Sequence, residues 1–135
     1  IREVATMPLT VTGGFRSREA MEEALSDGVC DVIGLGRPLC THPDTPKQLI
    51  NGKIDRAASF ENMLKLTDKG IFSPASPVLP LKLINVLGAQ AWYYQQIFRL
   101  ADGLEAKPSM SLIGAFFKYL FNEWTTAFKV KRSSR

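Results

Sequence analysis

The sequence predicts an α/β fold that starts with parallel strands and continues into a helical extension. Three observations carry this. Two short apolar runs each stop at glycine and arginine, a stretch of helical spacing separates them, and two long amphipathic stretches follow a proline-broken loop. Residues 8–12 form the first extended run, and Gly13-Gly14 breaks it. Ser17 then suits an N-cap, with Glu19 in the first turn, where the helix dipole favours an acid. Ala20, Met21, Ala24 and Leu25 make one apolar stripe, and Gly28 sits where a helix commonly ends in a left-handed residue. "VCDVIGLG" (residues 29–36) is β-branched and mostly apolar apart from Asp31, the pattern of a strand covered on both faces. The order strand, helix, strand predicts a βαβ unit with parallel strands and a right-handed crossover.

Beyond Pro38, "THPDTPKQLINGK" predicts a short helix over 47–50, stopped by Asn51-Gly52. From Ala57 the character changes, giving domains at 1–56 and 57–135. "FSPASPVLP" is a loop, and after it Leu83, Ile84, Leu87, Ala91, Tyr94, Phe98 and Ala101 recur at threes and fours, which predicts a long helix ending at Asp102-Gly103. A second helix follows Lys107-Pro108. It carries one ridge of Leu112, Phe116, Leu120, Trp124 and Phe128 and another of Ile113, Phe117 and Phe121. There is no internal repeat and no low-complexity tract.

Composition bounds the function. At 135 residues and 45% hydrophobic the chain has the length and apolar content of one ordinary domain. It opens on Ile1 rather than methionine, so it reads as a fragment of a longer protein. Cys30 and Cys40 fit neither a metal spacing nor a disulfide framework, which points to reduced thiols and a cytoplasmic protein. The net charge of +4 is local. Four of the seventeen cations, Lys129, Lys131, Arg132 and Arg135, lie in the last seven residues, which hold no acid; thirteen cations and thirteen acids remain for the rest. A distributed basic face for nucleic acid is therefore absent from the sequence.

The two glycine-arginine ends share one chemistry. A parallel strand that stops at glycine and hands over to a helix N-terminus exposes backbone N–H groups suited to an anion. Two such ends on neighbouring strands can hold one phosphate from two sides. In (β/α)₈ barrels the phosphate site is built from the loops after strands seven and eight and a short extra helix. Gly13-Gly14 and Gly36-Arg37-Pro38 have that layout, so the expected fold is the C-terminal portion of a (β/α)₈ TIM barrel, strands seven and eight, followed by the helical extension. Glycine at 14 and 36 lets the phosphate approach the backbone, and Arg37 adds a donor that is charged at any working pH.

"PLTVTGGFRSREAMEEAL", "DVIGLGRPL" and "HPDTPKQL" resemble the last two βα units of the old yellow enzyme family, the NADH:flavin oxidoreductase/NADH oxidase family, over residues 1–56. The resemblance implies a barrel that binds FMN noncovalently and passes hydride from NAD(P)H to an acceptor such as an activated alkene. It also implies that Gly13, Gly14, Gly36 and Arg37 hold the FMN phosphate, and that a small-molecule substrate binds in the full-length protein. The family's substrate-anchoring histidine pair (or histidine and asparagine) and its proton-donating tyrosine lie on earlier strands, and nothing in this sequence corresponds to them. The chain is thus expected to carry part of a cofactor site, no catalytic residue and no activity alone.

Other residues read as structural. His42 precedes a proline in a turn and suits a solvated or capping role, Cys40 suits packing, and Arg16 and Arg18 suit a solvated helix start. Lys118, Asn122 and Glu123 interrupt the last helix and argue against a membrane span. Packing of that helix on its own protein is the favoured reading. The alternative is a non-catalytic barrel remnant, with aromatic ridges and basic tail serving association, either as a homo-oligomer or at a membrane surface.

Overall fold

The computed structural model describes residues 4–67 and 69–129 and divides the chain into two compact units, Ile1–Ser59 and Phe60–Arg135. The first unit runs β1 (Thr10–Thr12), α1 (Arg18–Ser26), β2 (Val32–Gly34), a 3₁₀ turn (Arg37–Cys40) and α2 (Thr45–Ile50). β1 and β2 pair in parallel with Thr10 opposite Val32, Val11 opposite Ile33 and Thr12 opposite Gly34. Asp31 fixes where the pairing starts. Its Oδ2 accepts the Leu9 N–H at 2.8 Å, while the Asp31 and Val32 N–H groups both donate to the Leu9 carbonyl. That is the physical role of the one acid in an otherwise apolar run.

α1 starts at Ser17 in extended conformation, without a side-chain cap bond, and its end is marked by Gly28 at φ +66°. Met21 is buried with Leu49 and Ala57, and Phe15, Ile33, Leu35 and Ile54 pack around them. α2 begins two residues earlier than the spacing predicts, because Thr45 Oγ1 donates to the His42 carbonyl at 2.7 Å and draws Thr45 and Pro46 into the first turn. β2 keeps one face open among the described residues, with Val32 49% exposed, while Ile33 packs against the Met21 cluster. Among the described residues β2 has one strand neighbour, β1, and regular pairing lasts only three residues.

The second unit is a helical hairpin of α3 (Leu79–Ala101) and α4 (Leu112–Lys129). Pro80 suits the first turn of α3, where its missing N–H costs no intrahelical bond, and Gly103 at φ +73° follows the end. Its core is Leu64, Trp92, Leu112 and Ala115. The Trp92 indole N–H donates to the Met110 carbonyl at 3.0 Å, and Gly88 lets Leu112 approach so closely that an added Cβ would lie 3.1 Å from its Cγ.

The faces differ from those the sequence suggests. α3 buries Asn85, Gly88, Ala91, Trp92, Gln95 and Gln96, whereas Leu83, Leu87, Tyr94 and Phe98 of the predicted stripe are exposed. Buried amides hold the chain here. Asn85 accepts the Leu66 N–H and donates to the Phe72 and Leu81 carbonyls. On α4, Leu112 and Ala115 are buried, but most of the predicted ridges face outward. The basic tail from residue 130 onward lies outside the described residues. Among those described, no helix is long and apolar enough to cross a membrane.

Candidate functional site: the glycine ends of the parallel strands

Because β1 and β2 are parallel and Thr12 stands opposite Gly34, Gly13-Gly14 and Leu35-Gly36 leave the sheet at the same end. Gly13 has φ +105° and Gly14 φ +79°, conformations that a side chain disfavours. A Cβ at Gly13, Gly14 or Gly36 would meet no protein atom within 4 Å. Gly36 differs from the first pair in having φ −111°, so neither the sign of φ nor a protein neighbour requires glycine there. Pro38 sits in the first turn of the 3₁₀ segment and is buried, which anchors the second block.

A cleft of about 420 Å³ opens at the first block, with Gly13, Gly14, Arg16, Ser17 and Arg56 among its walls. Arg56 is the residue that sequence reasoning missed. It reaches the cleft because residues 55–57 run antiparallel to 16–18: the Arg18 N–H donates to the Asp55 carbonyl at 2.9 Å and the Ala57 N–H to the Arg16 carbonyl at 2.7 Å. "NGKIDR" has no local pattern that announces this pairing. The bond to Asp55 also occupies one N–H at the start of α1, so the helix N-terminus is less open than its position in sequence implies.

Arg16 is half-buried, and its guanidinium donates to the Phe15 carbonyl at 2.8 Å. The solvated helix start expected of it is therefore corrected to a cleft wall. Arg18 instead pairs with Glu22 at 3.6 Å on the surface, a contact of little energetic weight. Gly36 and Arg37 do not line the cleft of the first block. The structure thus brings the two blocks to one sheet end, while a single cleft holds only the first of them together with Arg16 and Arg56.

His42 Nδ1 lies 2.9 Å from Thr41 Oγ1, and the His42 carbonyl accepts from Thr45, in keeping with a capping turn. Cys40 is half-buried, and that burial pushes its thiol above the usual value of 9.0, away from nucleophilic chemistry. Among the described residues no group of histidine, cysteine and carboxylate side chains is arranged to hold a metal ion.

Two glycines in left-handed conformation and two arginines stand at one cleft, and the open Gly36 lies past the end of the neighbouring strand. The chain is 37% identical over 102 residues to the NADH-dependent flavin oxidoreductase iccE of Talaromyces variabilis, covering 73% of this chain and 23% of that protein. It is 35% identical over 68 residues to the NADH-dependent flavin oxidoreductase iliE of Hypocrea jecorina, covering 50% of this chain and 15% of that protein. The chain matches the NADH:flavin oxidoreductase family over these stretches. It is also 38% identical over 53 residues to a bilirubin reductase of Mediterraneibacter gnavus, covering 39% and 8% of the two. No family model matches the chain. The chain spans less than a quarter of the length of these relatives.

Proposed function

We propose that this chain supplies the cofactor-phosphate cradle of an FMN-dependent NAD(P)H oxidoreductase, as the strand seven and eight portion of a (β/α)₈ barrel. The observation that carries the reading is the open glycine at 36 beside the left-handed Gly13-Gly14 pair, three positions where missing side chains leave space for a ligand. The exposure of Val11 and Val32 supports the barrel, because such apolar strand faces call for further strands or helices against them. The residues fit the group. Backbone amides at the two glycine ends and the guanidinium of Arg37 would bind the phosphate, and Arg16 and Arg56 would add positive potential at the first block. FMN, when bound, supplies the hydride relay between the nicotinamide and an acceptor such as an activated alkene. The chain's own task is to bind and orient; catalytic groups would come from the rest of a longer protein.

The test is flavin retention in the full-length protein. Gly36→Val should purify colourless, because its branched side chain would stand where the phosphate oxygens approach the backbone. Arg37→Ala should weaken FMN about ten- to a hundred-fold, the worth of a hydrogen bond to a charged group. An unchanged flavin dissociation constant in Gly36→Val would refute the assignment.

A further inference from the structure

The outward side of α4 is aromatic and uncovered. Ile113, Phe117, Leu120, Phe121, Trp124 and Phe128 are between 44% and 72% exposed. At the helical repeat they fall within a stripe of roughly 100°, on a different side from the buried Leu112 and Ala115. The rings make a continuous surface: Phe121 and Trp124 lie 6.2 Å apart and Trp124 and Phe128 5.0 Å apart, centroid to centroid. A patch of this kind marks an interaction site.

We propose that this face docks on an anionic lipid surface, with α4 lying in the plane of the interface. Charge complementarity selects this occupant. In the sequence α4 ends on Lys129 and is followed by Lys131, Arg132 and Arg135, whereas the charges of the rest of the chain balance, so the net positive charge belongs to the seven residues that begin with the last residue of the helix. In the sequence Trp124 and Phe128 shortly precede those cations, and Lys118 belongs to the same helix. Aromatic side chains, tryptophan above all, favour the headgroup level of a bilayer, and nearby cations are drawn to anionic lipid. The helix is not apolar enough to cross a membrane, so it lies on the surface. This proposal stands independently of the flavin assignment, since it uses only α4 and the sequence after it.

The test mixes the 135-residue chain with phosphatidylcholine vesicles, with or without phosphatidylserine, and follows flotation and tryptophan emission. Binding is expected only with phosphatidylserine at low salt, and it should fade at about 1 M salt, where the screening length falls to about 3 Å. Trp92 is already buried, so a blue shift on binding reports Trp124 and should vanish in Trp124→Phe. Removing Lys131 and Arg132 together should weaken binding about twenty-five-fold, near five-fold for each cation. Phe121→Ser with Trp124→Ser should abolish it while helicity by circular dichroism holds; if that pair misfolds, the charge variant keeps the test. Flotation that ignores lipid charge and salt, no flotation, or self-association that buries Trp124 and excludes vesicles would each overturn the proposal, the last by identifying a second copy as the occupant.

Discussion

Thr12 and Gly34 face each other across the parallel pair, and the threonine side chain fills the place that a Cβ on Gly34 would take. Thr12 Cβ lies 2.9 Å and Cγ2 3.1 Å from that position, with Oγ1 closer still. The first glycine of "GLGR" is therefore a packing residue, whereas the second faces open space. Gly34→Ala should destabilise the fold by about 1–3 kcal/mol through overpacking. Thr12→Gly removes the clashing atoms, so the added cost of Gly34→Ala should shrink in that background. A double-mutant cycle from urea unfolding checks it, and additive effects would disprove the clash.

Arg56 bridges Ser17 through the backbone, which puts it in the wall of the cleft with an exposed side chain. In the full-length protein Arg56→Ala should weaken flavin binding by about ten-fold, Arg56→Lys should recover part of it, and the melting temperature should barely move. Fluorescence titration with FMN measures this. A fall in melting temperature with unchanged affinity would make Arg56 a structural residue only.

Local pattern carried part of this architecture. The strand, helix, strand order, the glycine ends at Gly28, Gly52 and Gly103 and the extent of both long helices follow from apolar spacing and left-handed glycines, which are short-range properties. Which face is buried did not follow. Leu83, Leu87, Tyr94 and Phe98 form the more apolar stripe, yet the opposing Asn85 and Gln96 are buried because their amides satisfy main-chain groups far away in sequence. Apolar periodicity has no means of registering such bonds. The same limit hid Arg56, whose place depends on a pairing between segments distant in sequence. At Gly13 and Gly14 residue type and turn geometry coincide, whereas Gly36 has a negative φ and only its open surroundings set it apart.

Cys40 links burial to pH. Its thiol is held above 9.0 in the fold by desolvation, so as pH rises the unfolded chain deprotonates first and then binds fewer protons than the folded one. The stability contributed by the protonated buried thiol is full below the ordinary value and is lost as pH climbs from there through the raised folded value. Comparing the chain with Cys40→Ala, the stability difference should be flat below about pH 8 and shift against the native thiol above about pH 9. Alkylation with iodoacetamide should be slow at neutral pH. Fast alkylation there would mean a thiol that burial does not control.

Gln96 closes the hairpin by imitating a strand partner. Its Nε2 donates to the Lys107 carbonyl at 3.2 Å and its Oε1 accepts the Lys107 N–H at 2.7 Å, which fixes the connection between α3 and α4 from a fully buried position. Gln96→Glu keeps the shape and the acceptor but, once ionised, loses the donor and turns a carboxylate oxygen toward a carbonyl. At neutral pH this should cost about 2–4 kcal/mol, a lost donor plus the desolvation of a charge. The introduced carboxyl gains a proton as pH falls, and the protonated form can again donate to Lys107. Its folded pKa lies above the unfolded one, so the lost stability should return toward acid and be missing above the folded value. Thermal unfolding of both proteins between about pH 4 and 8 reads the difference directly. A deficit that does not shrink toward acid would mean that the Gln96 donor contributes nothing to the hairpin.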